Sequence, residues 1–340
     1  MQSREMGWQA RSLALGPRIS IALATFNGAR FLADQLHSLE SQSSPPDEVV
    51  VVDDSSSDES LEIVREFAAR TKFAVHAVRT ASNTGYRKAF ETALAMASGD
   101  IVFLCDQDDV WHKQKIETVV AAFQARPEVA LIIHDLRICT HDLRPSGRTK
   151  IQREREATGS AKMYVTGMAT AVRRELLSIA LPFPNIDLPH DDWLHLLAAA
   201  LDLREVLVTP LADFRRHSDN VTKESVLNSP KRLSRLRFLL RLAGTDSSMS
   251  IRRRKVALEA VAETLRERGG EILDRRLATP EMVQIAIAGA IARAELVEQR
   301  LALRRLRRPA RLPRIVALAR KGGYHEFSNW RSALKDVLSP

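Results

Sequence analysis

The chain has 340 residues, 45% apolar and 27% charged, a balance that suits a globular protein of about two domains and excludes a disordered or fibrous one. Cys105 and Cys139 are its only cysteines, too few for a disulfide framework or a zinc site. No apolar run nears the roughly 18 residues of a membrane span and the start lacks a signal-peptide core, so the expectation is a cytoplasmic chain. The net charge of +9 hides a division, since residues 231–340 hold 25 Lys and Arg against 11 Asp and Glu while residues 1–230 hold 26 against 31.

In chain order, RISIALATF (18–26) reads as a strand, and Phe31, Leu32, Leu36 and Leu39 then fall at helical spacing until Pro45 and Pro46. DEVVVVDDSSSDES supplies a wholly apolar strand entering an acidic, serine-rich turn, in which Ser57 or Asp58 can cap the helix LEIVREFAAR. KFAVHAVR, the Gly-containing loop ASNTGYRK, the helix AFETALAMA and the strand GDIVFLCDQDD continue the alternation. A helix over 113–126 and a strand in EVALIIHDLRI follow. Residues 142–162 are polar and aperiodic and read as a mobile loop or lid. Order returns with MYVTGMATAVRRELL, a Pro-rich turn and a helix opening at HDDWLHLLAAAL. From residue 231 nearly everything is helix-forming, which places a domain boundary near residue 225.

Apolar strands alternating with amphipathic helices predict an α/β fold with a mainly parallel sheet, whose ligands bind beyond the carboxyl ends of the strands. Those ends, near Thr25, Asp53, Asn83 and Asp106, should line one edge. In FLCDQDDVW, oxygen ligands at alternate positions suit Mg²⁺ or Mn²⁺. A helix cap at Asp108 or Asp109 explains one carboxylate of the three. Asp53 at a strand terminus suits a base N–H or a ribose hydroxyl; the absence of G-x-G-x-x-G and G-x-x-x-x-G-K-[ST] argues against a nicotinamide fold and a P-loop.

ISIALATFN, VVVVDDSSSDES, NTGYRKAFETAL, GDIVFLCDQDDVW, VTGMATAVRRELL, HDDW and RRHSDNVT stand in the order and spacing of family 2 glycosyltransferases of the GT-A fold, and the chain most resembles their bacterial rhamnosyltransferase-like branch. The resemblance covers about residues 18–224, leaving an N-terminal extension (1–17), a GT-A domain (18–225) and a basic all-α C-terminal region (226–340). It implies that Thr25 and Asp53 bind the nucleoside, that Lys88 belongs to the donor pocket, that Asp106 lies near the ribose, and that Asp108 ligates a divalent cation on the diphosphate. His217 can complete the metal shell, and Asp191 matches the catalytic base. Ser55 stands where relatives commonly have glycine, and Ala89 where many have asparagine. The Q-x-x-R-W motif of processive synthases is absent, which implies transfer of one sugar at a time.

The chemistry agrees with the residues. Cleaving an anomeric carbon from a diphosphate needs leaving-group charge neutralised and an acceptor hydroxyl deprotonated on the opposite face, which inverts the anomeric centre. Asp191 is the expected base, with Asp192 its fallback, and Arg215 and Arg216 bring cations near the phosphates. HDDW taken alone is equally a helix start whose carboxylates favour the dipole. His134, His141 and His195 read as structural or exposed, and Trp193 as a core anchor.

The implied substrates are a nucleotide sugar, dTDP-rhamnose or a UDP-sugar among them, and a saccharide acceptor that can be lipid-linked, as in cell-surface polysaccharide or O-antigen synthesis. A catalytically inactive nucleotide-sugar-binding protein and a Mg-dependent phosphotransferase are the rival readings. The latter lacks its aspartyl nucleophile after the first strand, where ATFN stands. The basic tail lacks aromatic interleaving, so nucleic acid is not expected. LSRLRFLLRL and LALRRLRRPARLPRIVALAR suit the interface of an anionic membrane, peripheral on the cytoplasmic leaflet, or equally packing on the catalytic domain or on a second subunit as a homodimer.

Overall fold

A computed structural model describes residues 16–158, 164–218, 248–324 and 329–338; most of the N-terminal extension and the basic RLSRLRFLLRLA segment lie outside them. The chain forms two compact units: residues up to Thr149 with Val165–Phe183 and Leu203–His217, and Lys150–Tyr164 with Pro184–Asp202 and the residues from Ser218 onward. This division is not a single cut near residue 225. Composition registers where apolar strands give way to basic helices, but cannot register that an interior helix, His190–Ala200, packs with the C-terminal helices.

The first unit holds one sheet built from β1 (Ile19–Thr25), β2 (Glu48–Asp53), β3 (Ala74–Arg79), β4 (Ile101–Cys105), β5 (Val110–Trp111), β6 (Leu131–Cys139), β7 (Pro145–Thr149), β8 (Thr170–Arg173) and β9 (Arg204–Arg215). The order is β3-β2-β1-β4-β8-β6-β9-β5, with β7 paired to β6. β3, β2, β1 and β4 are parallel. β8 runs against β4 and β6, which restores the original direction at β6 and its parallel neighbour β9.

All six residues of β2 are buried, as are Ile21, Ala22 and Leu23 of β1 and the whole of β4. Continuous apolar strands of this kind require cover on both faces. Helices α1 (Ala29–Glu40), α2 (Ser60–Arg70), α3 (Tyr86–Met96), α4 (Lys115–Ala125) and α6 (Arg174–Ala180) supply it, with Leu32, Leu36 and Leu39 of α1 and Phe90, Ala93 and Leu94 of α3 fully or nearly fully buried. Each such leucine or phenylalanine contributes roughly 1.5–3 kcal/mol of burial.

The expected loop at 142–162 is instead the edge strand β7 followed by helix α5 (Lys150–Thr158), with residues 159–163 outside the described residues. The reason is exposure. Most of PSGRT faces solvent, and α5 buries Ile151 alone among its described side chains, so neither element carries an apolar period.

In the helical unit α7 (His190–Ala200) precedes α8 (Ser248–Glu267), α9 (Gly269–Asp274), α10 (Pro280–Leu303), α11 (Arg308–Arg320) and α12 (Asn329–Leu338). The Thr279 hydroxyl accepts from the Met282 N–H at 3.3 Å and Pro280 opens the first turn, a conventional start for α10. α8 and α10 meet along Ile251, Leu258, Ala294 and Val297, and a second cluster joins Leu303, Ile315, Leu318 and Tyr324. Asp336 of α12 is wholly buried. It receives Arg300 at 2.6 Å and Arg304 at 3.4 Å, while Arg311 donates to its backbone carbonyl at 3.3 Å. Part of the tail's positive charge is therefore internal glue.

Candidate active site at the carboxyl edge of the sheet

Register aligns the strand ends. Thr25 of β1 pairs with Asp53 of β2, and Asp53 with Arg79 of β3, so three polar side chains leave the sheet side by side. Asp53 is 1% exposed. Its Oδ2 accepts from the Ser56 N–H at 3.1 Å and faces the Arg79 guanidinium at 3.5 Å. Its Oδ1 is buried with no hydrogen-bond partner. A buried carboxylate oxygen without a donor is costly, and one at a ligand-binding edge is an acceptor awaiting an N–H or O–H. The neighbouring Asp54 differs: its two oxygens take the Thr80 hydroxyl, the Thr84 hydroxyl and N–H, and the Gly85 N–H, all within 3.0 Å. Burial raises its carboxyl, and these donors outweigh burial and hold it below the usual range. Asp54 thus latches the 80–85 loop, after which Lys88 sits in the first turn of α3, largely exposed and paired with Glu91 at 3.0 Å.

The SSSDES turn secures a second element. Helix α1 has no side-chain cap of its own. The N–H groups of Asn27, Gly28 and Ala29 donate instead to Ser56, Ser60 and Asp58 at 2.8–3.0 Å. Asp58 also accepts from the Ser60 N–H at 3.0 Å, so the expected cap residue serves the starts of two helices. Ser55 adopts φ 66, the left-handed region in which glycine is at ease, so a glycine would fit this position without strain.

The acidic turn is not a helix cap. After Asp109 the chain enters β5, and α4 begins only at Lys115, with Gln114 at its N-cap making no side-chain bond. Gln107 ties the turn to β1: its Oε1 accepts from the Thr25 hydroxyl at 2.7 Å and the Phe26 N–H at 2.8 Å. A Cβ on Gly28 would come within 2.3 Å of that oxygen, so the contact requires glycine. Asp106, directly after β4, is half-buried. Asp108 Oδ2 lies 2.8 Å from His217 Nε2.

Beneath them Asp109 is buried, its Oδ1 accepting from the Arg215 N–H at 2.8 Å and its Oδ2 without a partner. Burial, then Asp108 and Asp106, push its carboxyl well above the carboxylate range. Lys115 is fully buried, donates to the Met168 carbonyl at 2.6 Å and stands 3.5 Å from the Trp111 ring centroid; burial lowers its ammonium to about 7 against the pull of Cys105, Asp109 and Asp106.

Arg215 organises the turn. Its guanidinium donates to the Asp108 carbonyl (2.9 Å), the His141 carbonyl (2.9 Å) and Asp34 of α1 (2.7 Å), and it stacks 4.5 Å from the Phe31 ring, which also touches the His217 ring at 4.6 Å. These bonds make it a clamp on the backbone that carries Asp108. Arg216 lies over Phe214 at 5.1 Å.

In the helical unit Asp191 and Asp192 occupy the first turn of α7, with Asp191 accepting the Asp192 N–H at 3.0 Å. Burial and then the Asp191 charge raise Asp192 to about 6, against Arg254. Trp193 is buried, and so are His134 and His195.

Residues 20–178 match the model of glycosyl transferase family 2. The chain carries a family 2 glycosyltransferase domain. Over 214 residues it is 28% identical to an uncharacterized glycosyltransferase of Nostoc sp. strain PCC 7120, covering 60% of this chain and 66% of that protein. Over 101 residues it is 33% identical to a putative teichuronic acid biosynthesis glycosyltransferase of Bacillus subtilis, covering 30% of this chain and 40% of the relative. The chain therefore spans less than two thirds of the length of these relatives. In fold it resembles residues 1–349 of S. aureus TarS solved with UDP-GlcNAc, at TM-score 0.53 and 18% identity over 94% of this chain and 90% of that one. The glycosyltransferase domain has the GT-A architecture, followed by helices.

Thr25, Asp53, Asp108, Arg215 and His217 all belong to the sheet-edge unit, and Asp191 to the helical one. Gln107, Asp34, Phe31 and Arg79 escaped sequence reasoning. Lys115 left a signal, because it shares an i, i+4, i+8 stripe with Val119 and Phe123, where a lysine is out of place unless paired. Among the described residues no group of three His, Cys, Asp or Glu side chains converges as a ready metal cage. Asp108 and His217 as a pair fit a cation that takes its remaining ligands from water and phosphate, and the imidazole favours Mn²⁺ over Mg²⁺.

Proposed function

We propose that this protein is an inverting, non-processive glycosyltransferase moving one sugar from a nucleoside-diphosphate donor to a saccharide hydroxyl in cell-surface polysaccharide synthesis. The observation that carries the reading is the Asp108–His217 pair at 2.8 Å, on a turn whose carboxylates cap no helix. The family domain supports it, as do two relatives in Bacillus subtilis, one named for teichuronic acid biosynthesis.

In this mechanism the unpartnered Oδ1 of Asp53 accepts from the base, and the Thr25 and Asp106 side chains orient the nucleoside. Asp108 and His217 would hold a divalent cation, which when bound neutralises charge on the departing diphosphate. Arg215 keeps the Asp108 backbone fixed, so that little reorganisation accompanies charge development. Lys88 completes the donor pocket. The acceptor proton falls to Asp191. One observation favours its neighbour, since a carboxyl raised to about 6, as at Asp192, is matched to proton transfer near neutrality. Asp191→Asn and Asp192→Asn separate the two: the variant that loses turnover while keeping donor affinity names the base.

The deciding experiment is calorimetric titration with UDP, dTDP and GDP, each with Mn²⁺ and with EDTA, on the wild type and Asp108→Ala. Binding of one nucleotide that requires the metal and is lost in the variant is the expected result. Binding indifferent to both overturns the reading; binding without turnover of any corresponding sugar leaves a nucleotide-sugar-binding protein.

A further inference from the structure

Helix α11 turns one face inward and leaves the other uncovered. Arg311, Ile315 and Leu318 are buried, while Leu312 is 53% exposed and Val316 46% exposed, with Pro309, Pro313 and Ala319 also exposed. At 100° per residue these five lie within about 120° of arc, centred about 130° from the buried stripe. An exposed contiguous apolar helix face calls for an occupant.

Charge identifies the occupant. No Asp or Glu occurs from residue 299 to residue 325, a stretch with nine Lys and Arg. Arg300 and Arg311 are consumed inside the unit, around Asp336 and the end of α10. Arg305, Arg307, Arg320 and Lys321 are exposed before and at the end of the apolar face, while the exposed Arg314 projects from the other side of the helix. Small aliphatic residues and prolines without an aromatic anchor make a poor protein hot spot, and without stacking rings the face is a poor nucleic-acid platform. An apolar strip of about 15 Å, with Arg305 and Arg307 before it and Arg320 and Lys321 at its end, matches a bilayer interface: the strip enters the acyl boundary and the basic stems reach back to the phosphates.

We propose that α11 docks flat on the surface of an anionic membrane. The inference rests on the helical unit alone and does not depend on the chemistry of the sheet edge.

Co-sedimentation of the full chain with phosphatidylcholine vesicles and with vesicles containing about 30% phosphatidylglycerol, at low salt and at about 0.5 M salt, tests it. Partitioning at least about tenfold stronger onto the anionic vesicles, weakened by salt, is expected. The double variant Leu312→Glu, Val316→Glu should lose that preference by about tenfold while keeping the wild-type unfolding midpoint, since both side chains are exposed. Arg307→Ala with Arg320→Ala should lose a similar factor. Equal binding to neutral and anionic vesicles, or wild-type partitioning by the Leu312→Glu, Val316→Glu protein, overturns the proposal. So does a concentration-dependent dimer abolished by that variant in the absence of vesicle binding, which would give the face to a second copy.

Discussion

The two ends of β2 each bury a carboxylate, under opposite terms. At the amino end Glu48 Oε1 takes the Ser20 hydroxyl at 2.5 Å and the Ser98 N–H and hydroxyl at 2.6 and 2.9 Å, while Oε2 faces Arg18 and His76 at 3.7 and 3.6 Å. At the carboxyl end Asp53 keeps one oxygen for the turn and leaves the other unpartnered. In this pair the amino-end charge is satisfied by the fold, whereas the bare acceptor at the carboxyl end is stability forgone, which the proposed binding role would explain.

Glu48→Ala is the largest perturbation expected on this contrast. It strands buried donors, and should cost about 3 kcal/mol in urea unfolding while leaving nucleotide affinity intact. Loss of affinity instead would break the contrast. The same carboxylate predicts acid behaviour: burial raises its pKa, but the Ser20 and Ser98 donors and Arg18 outweigh burial and hold it below 4.5. Its contribution is present above the unfolded pKa and lost as pH falls through the folded one, so Glu48→Gln should flatten the stability slope below about pH 4.5.

Asp53→Asn is the mirror experiment. It should weaken nucleotide binding about 10–100-fold by calorimetry, the worth of one charge-assisted bond, with the unfolding midpoint nearly unchanged.

Lys115, beneath the acidic turn, sharpens the comparison. Its ammonium, lowered to about 7 by burial, binds fewer protons when folded than when unfolded between pH 7 and 10.5. Stability should therefore rise with pH across that window, and Lys115→Met should remove the rise in denaturant titrations.

The smallest effect belongs to Ser55. Relieving its positive φ with Ser55→Gly should stabilise the protein by about 0.5–1 kcal/mol in thermal unfolding, with donor affinity unchanged.

Much of this was legible in the sequence because apolar runs have length and period. β1, β2 and β4 read directly, and Asp53 and the acidic turn stood out as carboxylates at strand ends. The β7 strand and α5 did not, since exposed elements carry no apolar period. The two-unit division was hidden because composition cannot see which helices touch. Gln107 and Asp34 were hidden for a related reason: a polar residue's partner 82 or 181 positions away leaves no local mark.

Those separations bear on how the protein comes into being. The turn bearing Asp108 is tied to β1 across 81 and 82 residues, to His217 across 109, and Arg215 reaches Asp34 across 181. During synthesis the early strands can pair while β9 is still unmade, yet the acidic turn has no clamp until residues 215–217 have emerged. A nascent chain would thus be folded in part with this turn unsecured, and a nucleotide site of the kind proposed would gain its affinity late and abruptly.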